Sequence, residues 1–142
     1  MRNILVATDG SKGGNRAIDA AAKLAKSAGA QLTILTVSGN LSGDEMKNLV
    51  RSEGDVGEAL ELISNQILQQ ARERARRIGD ITIAPQSAWG DPADAIIEAA
   101  RREQADVIVV GRRGRGRLAG LVLGSVSSKL VSLAPCIVMV VP

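Results

Sequence analysis

The residues best suited to chemistry lie in one stretch: Gly111-Arg112-Arg113-Gly114-Arg115-Gly116-Arg117-Leu118-Ala119-Gly120-Leu121-Val122-Leu123-Gly124-Ser125. Glycines let a backbone approach an anion closely and take up positive φ. Arg112, Arg113, Arg115 and Arg117 add fixed positive charge in forks that match phosphate oxygens. Gly124 and Ser125 stand where a helical pattern resumes, so free N–H groups and the positive end of the helix dipole point back into the loop. Phosphates bind such places readily. The plain alternative is a surface loop of solvated arginines, but so many glycines and arginines directly after a buried strand favour an anion site.

The loop is not a Walker A motif, since no segment supplies GxxxxGK[ST]. Gly114-x-Gly116-x-x-Ala119 matches the loose dinucleotide pattern, but that fingerprint belongs after the first strand and needs an acid about twenty residues on. No Asp or Glu follows Asp106, so the match is accidental. Other chemistries are excluded outright. The chain has no histidine, which removes Ser-His-Asp and Cys-His sites and the usual zinc sites. Trp89 is its only aromatic residue, which counts against a base-stacking platform and hence against nucleic acid. The net charge of +3 permits an anionic ligand without pointing to a nucleic-acid protein. No catalytic residue and no protein metal site stand out.

These residues must be held by a regular frame. Asn3–Thr8 (NILVAT) has the short continuous apolar run of a buried parallel strand. Asp9-Gly10-Ser11 turns into a helix with Ala17, Ile18, Ala21, Leu24, Ala25 and Ala28 on one face, stopped by Gly29. Gln31–Val37 is a second strand, completing a βαβ unit within about 35 residues. Ser38 to Asp55 is polar and glycine-dotted, and is expected to be a loop, in part helical. Val56, Leu60, Ile63, Ile67, Ala71, Ala75 and Ile78 then mark a long helix. Its opposite face, with Arg72, Glu73, Arg74, Arg76 and Arg77, is expected to be solvated.

Asp80–Ser87 is a third strand, placed near a sheet edge by Pro85. Asp91 and Pro92 fit an N-cap and first helical position, with Ala93, Ile96, Ile97 and Ala100 facing inward. Asp106–Val110 is a fourth strand. After the glycine loop comes a helix with Val122, Val126, Leu130 and Leu133 on one side, and Cys136–Val141 is a fifth strand. Trp89, next to Gly90, could lie near the site but is expected to be a packing residue at the solvent edge. Such alternation predicts a single α/β domain over residues 1–142, an open five-stranded parallel sheet with helices on both faces; the order expected for it is 3-2-1-4-5. Ligands of such sheets sit beyond the carboxyl ends of the strands where the order reverses. That singles out the Thr8–Gly14 turn and the Gly111–Ser125 loop.

Gly111, Gly114, Gly124 and Ser125 form the spacing G-x2-G-x9-G-S, which resembles the ATP-binding signature of the universal stress protein family. Asn3–Ser11, Leu35-Thr36-Val37, Ser125-Val126-Ser127 and Pro135–Pro142 extend that resemblance along nearly the whole chain. It implies ATP accompanied by Mg2+, with Asp9 by the ribose and metal-bound phosphates and the Val37 main chain meeting adenine. It also implies contacts from Ala7, Thr8, Val110 and Gly111, with Arg112, Arg113 and Gly114 around the phosphates. Gly124, Ser125, Val126 and Ser127 complete the set. An acid among phosphates makes sense when a cation intervenes, although Asp9 is equally able to cap the following turn. Two positions depart from the family pattern: Ala7 stands where many relatives carry proline, and Arg112-Arg113 makes the loop unusually basic.

The resemblance further implies a homodimer joined through Cys136–Val141, an apolar strand that at a sheet edge invites pairing. The function expected is that of a nucleotide-responsive regulatory module. The alternatives are a slow ATP hydrolase of the same fold and a binder of RNA or another anion. A single cysteine, Cys136, fits a reducing compartment, and no apolar run is long enough to span a bilayer. A cytoplasmic protein without a membrane partner is therefore expected.

Overall fold

The computed structural model describes residues 1–38, 56–112 and 123–142. Five strands form one parallel sheet: β1 (Asn3–Ala7), β2 (Gln31–Ser38), β3 (Ile83–Trp89), β4 (Val107–Gly111) and β5 (Ile137–Val141). Their order is β3-β2-β1-β4-β5, as expected. The described helices are α1 (Lys12–Ala28), α2 (Val56–Ile78), α3 (Pro92–Arg102) and α4 (Ser125–Leu133).

Each central strand is apolar on both faces because both faces are covered. Ile4, Val6, Leu32, Ile34, Val107 and Val109 point to the side of α1 and α2, where they meet Ile18, Ala21, Ala25, Leu68 and Ala71. Leu5, Leu35, Ile108 and Val110 point to the other side and meet Ile96, Ile97, Ala100 and Leu130 of α3 and α4. Small side chains on α1 let it lie close to the sheet.

Local chemistry sets the ends of these elements. Ser11 caps α1 by accepting the Gly14 N–H at 3.1 Å, and Gly29 ends it in the left-handed conformation, φ 64°. Asp91 caps α3, accepting the Asp94 N–H at 3.0 Å with Pro92 at the first position.

Several expectations are corrected. The third strand runs from Ile83 to Trp89 rather than from residue 80 to 87. The Leu32 N–H donates to Thr82 O and the Gly90 N–H to Ser38 O, so even-numbered residues of β3 turn their backbone toward β2. Pro85 thus turns its missing N–H toward the open edge, where no ladder bond is lost. Ser38 belongs to β2, while the rest of the expected loop, 39–55, lies outside the described residues. In α2 the buried positions are Ala59, Leu60, Ser64, Leu68, Ala71 and Ala75, so Leu68 takes the inward place expected of Ile67.

Arg74 is not a solvated arginine. Its guanidinium holds Asp19 of α1 through two bonds, 2.7 and 2.8 Å, and that carboxylate raises its pKa further. Leu133, expected inward, is 56% exposed because α4 ends there and the chain turns away into β5. Trp89, expected to pack, is 62% exposed at the end of the edge strand.

Candidate functional site

β1 and β4 are neighbours in the sheet, paired from Ile4↔Val107 to Val6↔Val109. From β1 the chain enters α1 on one face, whereas the segment after β4 leads to α4 on the other face. The two connections diverge, which opens a crevice at the carboxyl end of these strands. The turn after β1 is tightly built. The Thr8 N–H donates to Leu35 O at 3.0 Å and the Gly10 N–H to Thr8 Oγ1 at 3.2 Å. Asp9 Oδ1 accepts the Ser11 N–H at 2.9 Å, so Asp9 does shape the turn. Gly10 has φ 81°, a conformation that favours glycine.

Gly14, which sequence reasoning passed over, is part of this turn. A Cβ there would lie 2.5 Å from Thr8 Oγ1 and 3.2 Å from Asp9 Oδ1. The signal was present in the sequence: Gly13-Gly14 falls inside a helix, where glycine ordinarily costs stability.

On β2, backbone direction decides what Val37 offers. Leu35 accepts from Thr8, so Leu35 and Val37 turn their backbone groups toward β1. Pairing with β1 ends at Ala7↔Leu35, while pairing with β3 continues to Ser38↔Trp89. The Val37 N–H and C=O therefore face the crevice beyond the end of β1. Only the main chain is on offer, since the Val37 side chain packs among the residues beside α3 and α4.

The other wall is the junction of β4 and α4. Val110 is buried, and Gly111 pairs with Val141 of β5. The Arg112 N–H donates to Val141 O at 2.7 Å, and the Gly124 N–H donates to Arg112 O at 2.9 Å. Ser127 is buried, and its hydroxyl donates to Gly111 O at 2.8 Å and reaches Arg112 O at 3.2 Å. Together these bonds hold the first turn of α4 against the end of β4.

Gly124, not Ser125, is the N-cap of α4, and it makes no side-chain cap bond. The Ser128 N–H is the first to return to Gly124 O, so the N–H groups of Ser125, Val126 and Ser127 have no acceptor among the described residues. Ser125 itself is exposed. Arg113, Gly114, Arg115, Arg117 and Val122 lie outside the described residues.

Topology thus brings Ala7, Thr8, Asp9, Val37, Gly111, Arg112 and the start of α4 to one end of three adjacent strands. Among the described residues no three His, Cys, Asp or Glu side chains converge in a way that would hold a metal ion. No described helix is long and apolar enough to cross a membrane.

An open parallel α/β sheet ordered 3-2-1-4-5, with a crevice where that order reverses, defines a Rossmann-like domain. The universal stress protein family model matches residues 1–142. Universal stress protein YxiE of Bacillus subtilis is 36% identical over 157 residues, spanning 99% of both chains. The chain therefore belongs to the universal stress protein family. Among solved structures, a universal stress protein in complex with cAMP matches with TM-score 0.76 and 29% identity, covering 99% of this chain and 95% of that one. Universal stress protein UspA from Lactobacillus plantarum matches with TM-score 0.81 over 99% of this chain and 97% of its own, at 24% identity, a likeness of fold.

Proposed function

We propose that this chain binds ATP with its Mg2+ in the crevice between the ends of β1 and β4. On this reading it is a single-domain, cytoplasmic, homodimeric regulatory module of the stress response rather than an enzyme. One observation carries the reading: the N–H groups of Ser125, Val126 and Ser127 at the start of α4, beside the end of β4, which meet no acceptor among the described residues. Such a terminus is matched to phosphate, both by its donors and by its dipole. The Val37 main chain, facing the same crevice, offers a donor and an acceptor for the edge of a purine.

A universal stress protein that is 29% identical to this chain has been solved with cAMP, which supports an adenine nucleotide here. Magnesium would be carried by the phosphates, with Asp9 as the carboxylate that stands at the end of β1. Ser127 contributes through its main chain, because its hydroxyl is already donated to Gly111 O. The dimer is assigned to β5, an edge strand on which Ile137 is 64% exposed and Met139 36% exposed. The bond from the Arg112 N–H to Val141 O joins the loop to that edge, so nucleotide occupancy has a short route to dimer geometry.

The test is calorimetric titration of nucleotide-stripped protein with ATP and Mg2+, alongside a Gly114→Ala/Gly124→Ala variant, with AMP and cAMP as comparators. Saturable binding that is lost in the variant is expected. No binding, together with no adenine nucleotide released on denaturing unstripped protein, would overturn the reading.

A further inference from the structure

A second cavity lies on the α1/α2 side of the sheet, at the carboxyl ends of β2 and β3. Its volume is about 200 Å3, and Ser38, Glu61, Ser64, Asn65, Ser87 and Trp89 line it. The helical spacing of Glu61, Ser64 and Asn65 puts them on one face of α2. Ser87 and Trp89, two apart on β3, share one face of the sheet. The register sets Thr36 beside Ser87 and Ser38 beside Trp89. The hydroxyls of Ser38 and Ser64 bond to each other at 2.8 Å, and Ser64 is buried.

Among the described residues nothing pairs with the Glu61 carboxylate, the Asn65 amide or the Trp89 indole, and Trp89 is 62% exposed on an edge strand. A largely exposed aromatic and a carboxylate lining one cavity make an arrangement that attracts cations. The ring face adds a cation–π attraction to the Coulomb attraction of the acid, while hydroxyl and amide oxygens accept N–H bonds. An anionic ligand meets the opposite conditions here. The volume lies below the roughly 300–1,000 Å3 of pockets that hold drug-sized ligands, so the occupant is smaller than those.

We propose that this cavity is a binding site for a small organic cation bearing a guanidinium or primary ammonium group, with Glu61 as counter-charge and Trp89 as the stacking face. The site is independent of the nucleotide reading. It lies on the β3 side of β2, whereas Val37 turns its backbone to the β1 side.

Because Trp89 is the only aromatic residue in the chain, indole emission comes from the wall of this cavity. Agmatine would be titrated against the full chain while indole emission is recorded. The expected result is a saturable change in emission, weakened at least about tenfold by Glu61→Gln, since removing a charge from a charge-assisted contact costs about one such factor or more. The same titration after saturation with ATP and Mg2+ is expected to give an unchanged midpoint. A Trp89→Phe variant, followed by calorimetry, is expected to bind more weakly without loss of fold. The proposal is overturned by a non-saturable response, by one that sodium chloride of equal ionic strength reproduces, or by an unaltered midpoint in Glu61→Gln. Competition by ATP would also overturn it, since the cavity would then belong to the nucleotide site.

Discussion

The hydroxyl of Ser127, in the first turn of α4, donates to the carbonyl oxygen of Gly111, the last residue of β4, at 2.8 Å. The bond crosses the connection that carries the glycine loop. It sets where the first N–H groups of α4 stand relative to the sheet. Replacing Ser127 by alanine takes the hydroxyl donor from the Gly111 carbonyl in a buried place, while Arg112 O keeps the Gly124 N–H. The expected cost is about 1–2 kcal/mol, which corresponds to a melting temperature several degrees lower. Nucleotide affinity should fall with it, because the donors at the helix start lose their register. Ser125→Ala, at an exposed position, should change stability by less than about 0.5 kcal/mol. Thermal unfolding and calorimetric titration of the two variants check both statements, and equal behaviour of the pair would contradict them.

Gly14→Ala is a sharper test because the ordinary expectation has the opposite sign. Within a helix, alanine in place of glycine stabilises by about 1 kcal/mol. Here the new methyl would lie 2.5 Å from Thr8 Oγ1, and Thr8 is buried and bonded to the Gly10 N–H. Relief requires the turn that carries Asp9 to shift. A net loss of about 1–3 kcal/mol is expected, with weaker ATP binding. Chemical denaturation curves give the sign directly, and a stabilised Gly14→Ala protein would show that the turn yields without cost.

The frame was legible from the sequence because its signals are local and strong. Apolar runs such as Ile4–Ala7 and Val107–Val110, helix punctuation at Gly29 and Asp91, and strict alternation lead to an open parallel α/β sheet. Resemblance along the chain pointed to the family that the family model and the relatives then showed. What escaped were relationships between distant segments. Nothing local in Arg74 shows that Asp19 lies 2.7 Å away, and nothing in Gly14 shows that Thr8 fills the space its side chain would need. Trp89, next to Gly90, reads from the sequence as a packing residue at the solvent edge. That β3 runs on to Trp89, beside a polar face of α2, is a fact of register that periodicity does not carry.

The Asp91–Lys129 contact gives a prediction in pH. The Asp94 N–H, and then the Lys129 ammonium at 3.2 Å, hold the Asp91 carboxyl below its usual range. Lys129 in turn is raised by Asp94, at 2.9 Å, and by Asp91. Stability from a depressed carboxylate is present above its unfolded pKa and lost as pH falls through the folded value. Stability from the raised lysine is present below its ordinary pKa and lost as pH rises through the folded one. Asp91→Ala should therefore melt below the parent protein at neutral pH, and the gap should close in acid, beneath the ordinary carboxylate pKa of about 4. A gap that persists unchanged into strong acid would assign Asp91 a role that does not depend on its charge.

The two faces of β5 separate folding from assembly. Val138 and Val140 pack against the residues beside α3 and α4, whereas Ile137 and Met139 point to the side that α1 leaves uncovered. A lysine at Val138 buries its stem and charge against an apolar cluster, so that variant should lose the fold along with any dimer. Ile137→Lys and Met139→Lys place the charge in solvent, and their melting temperatures in dilute solution should stay close to the parent. If β5 is the edge through which two copies join, these outward lysines repel their counterparts across the pair and the protein should run as a monomer by light scattering. ATP should still bind the monomer, since the crevice is built from one chain, but the bond from the Arg112 N–H to Val141 O predicts altered affinity. A dimer that survives both outward substitutions would move the interface away from β5. An affinity that does not change on dissociation would uncouple the loop from the edge, leaving nucleotide binding and assembly as separate properties of the fold.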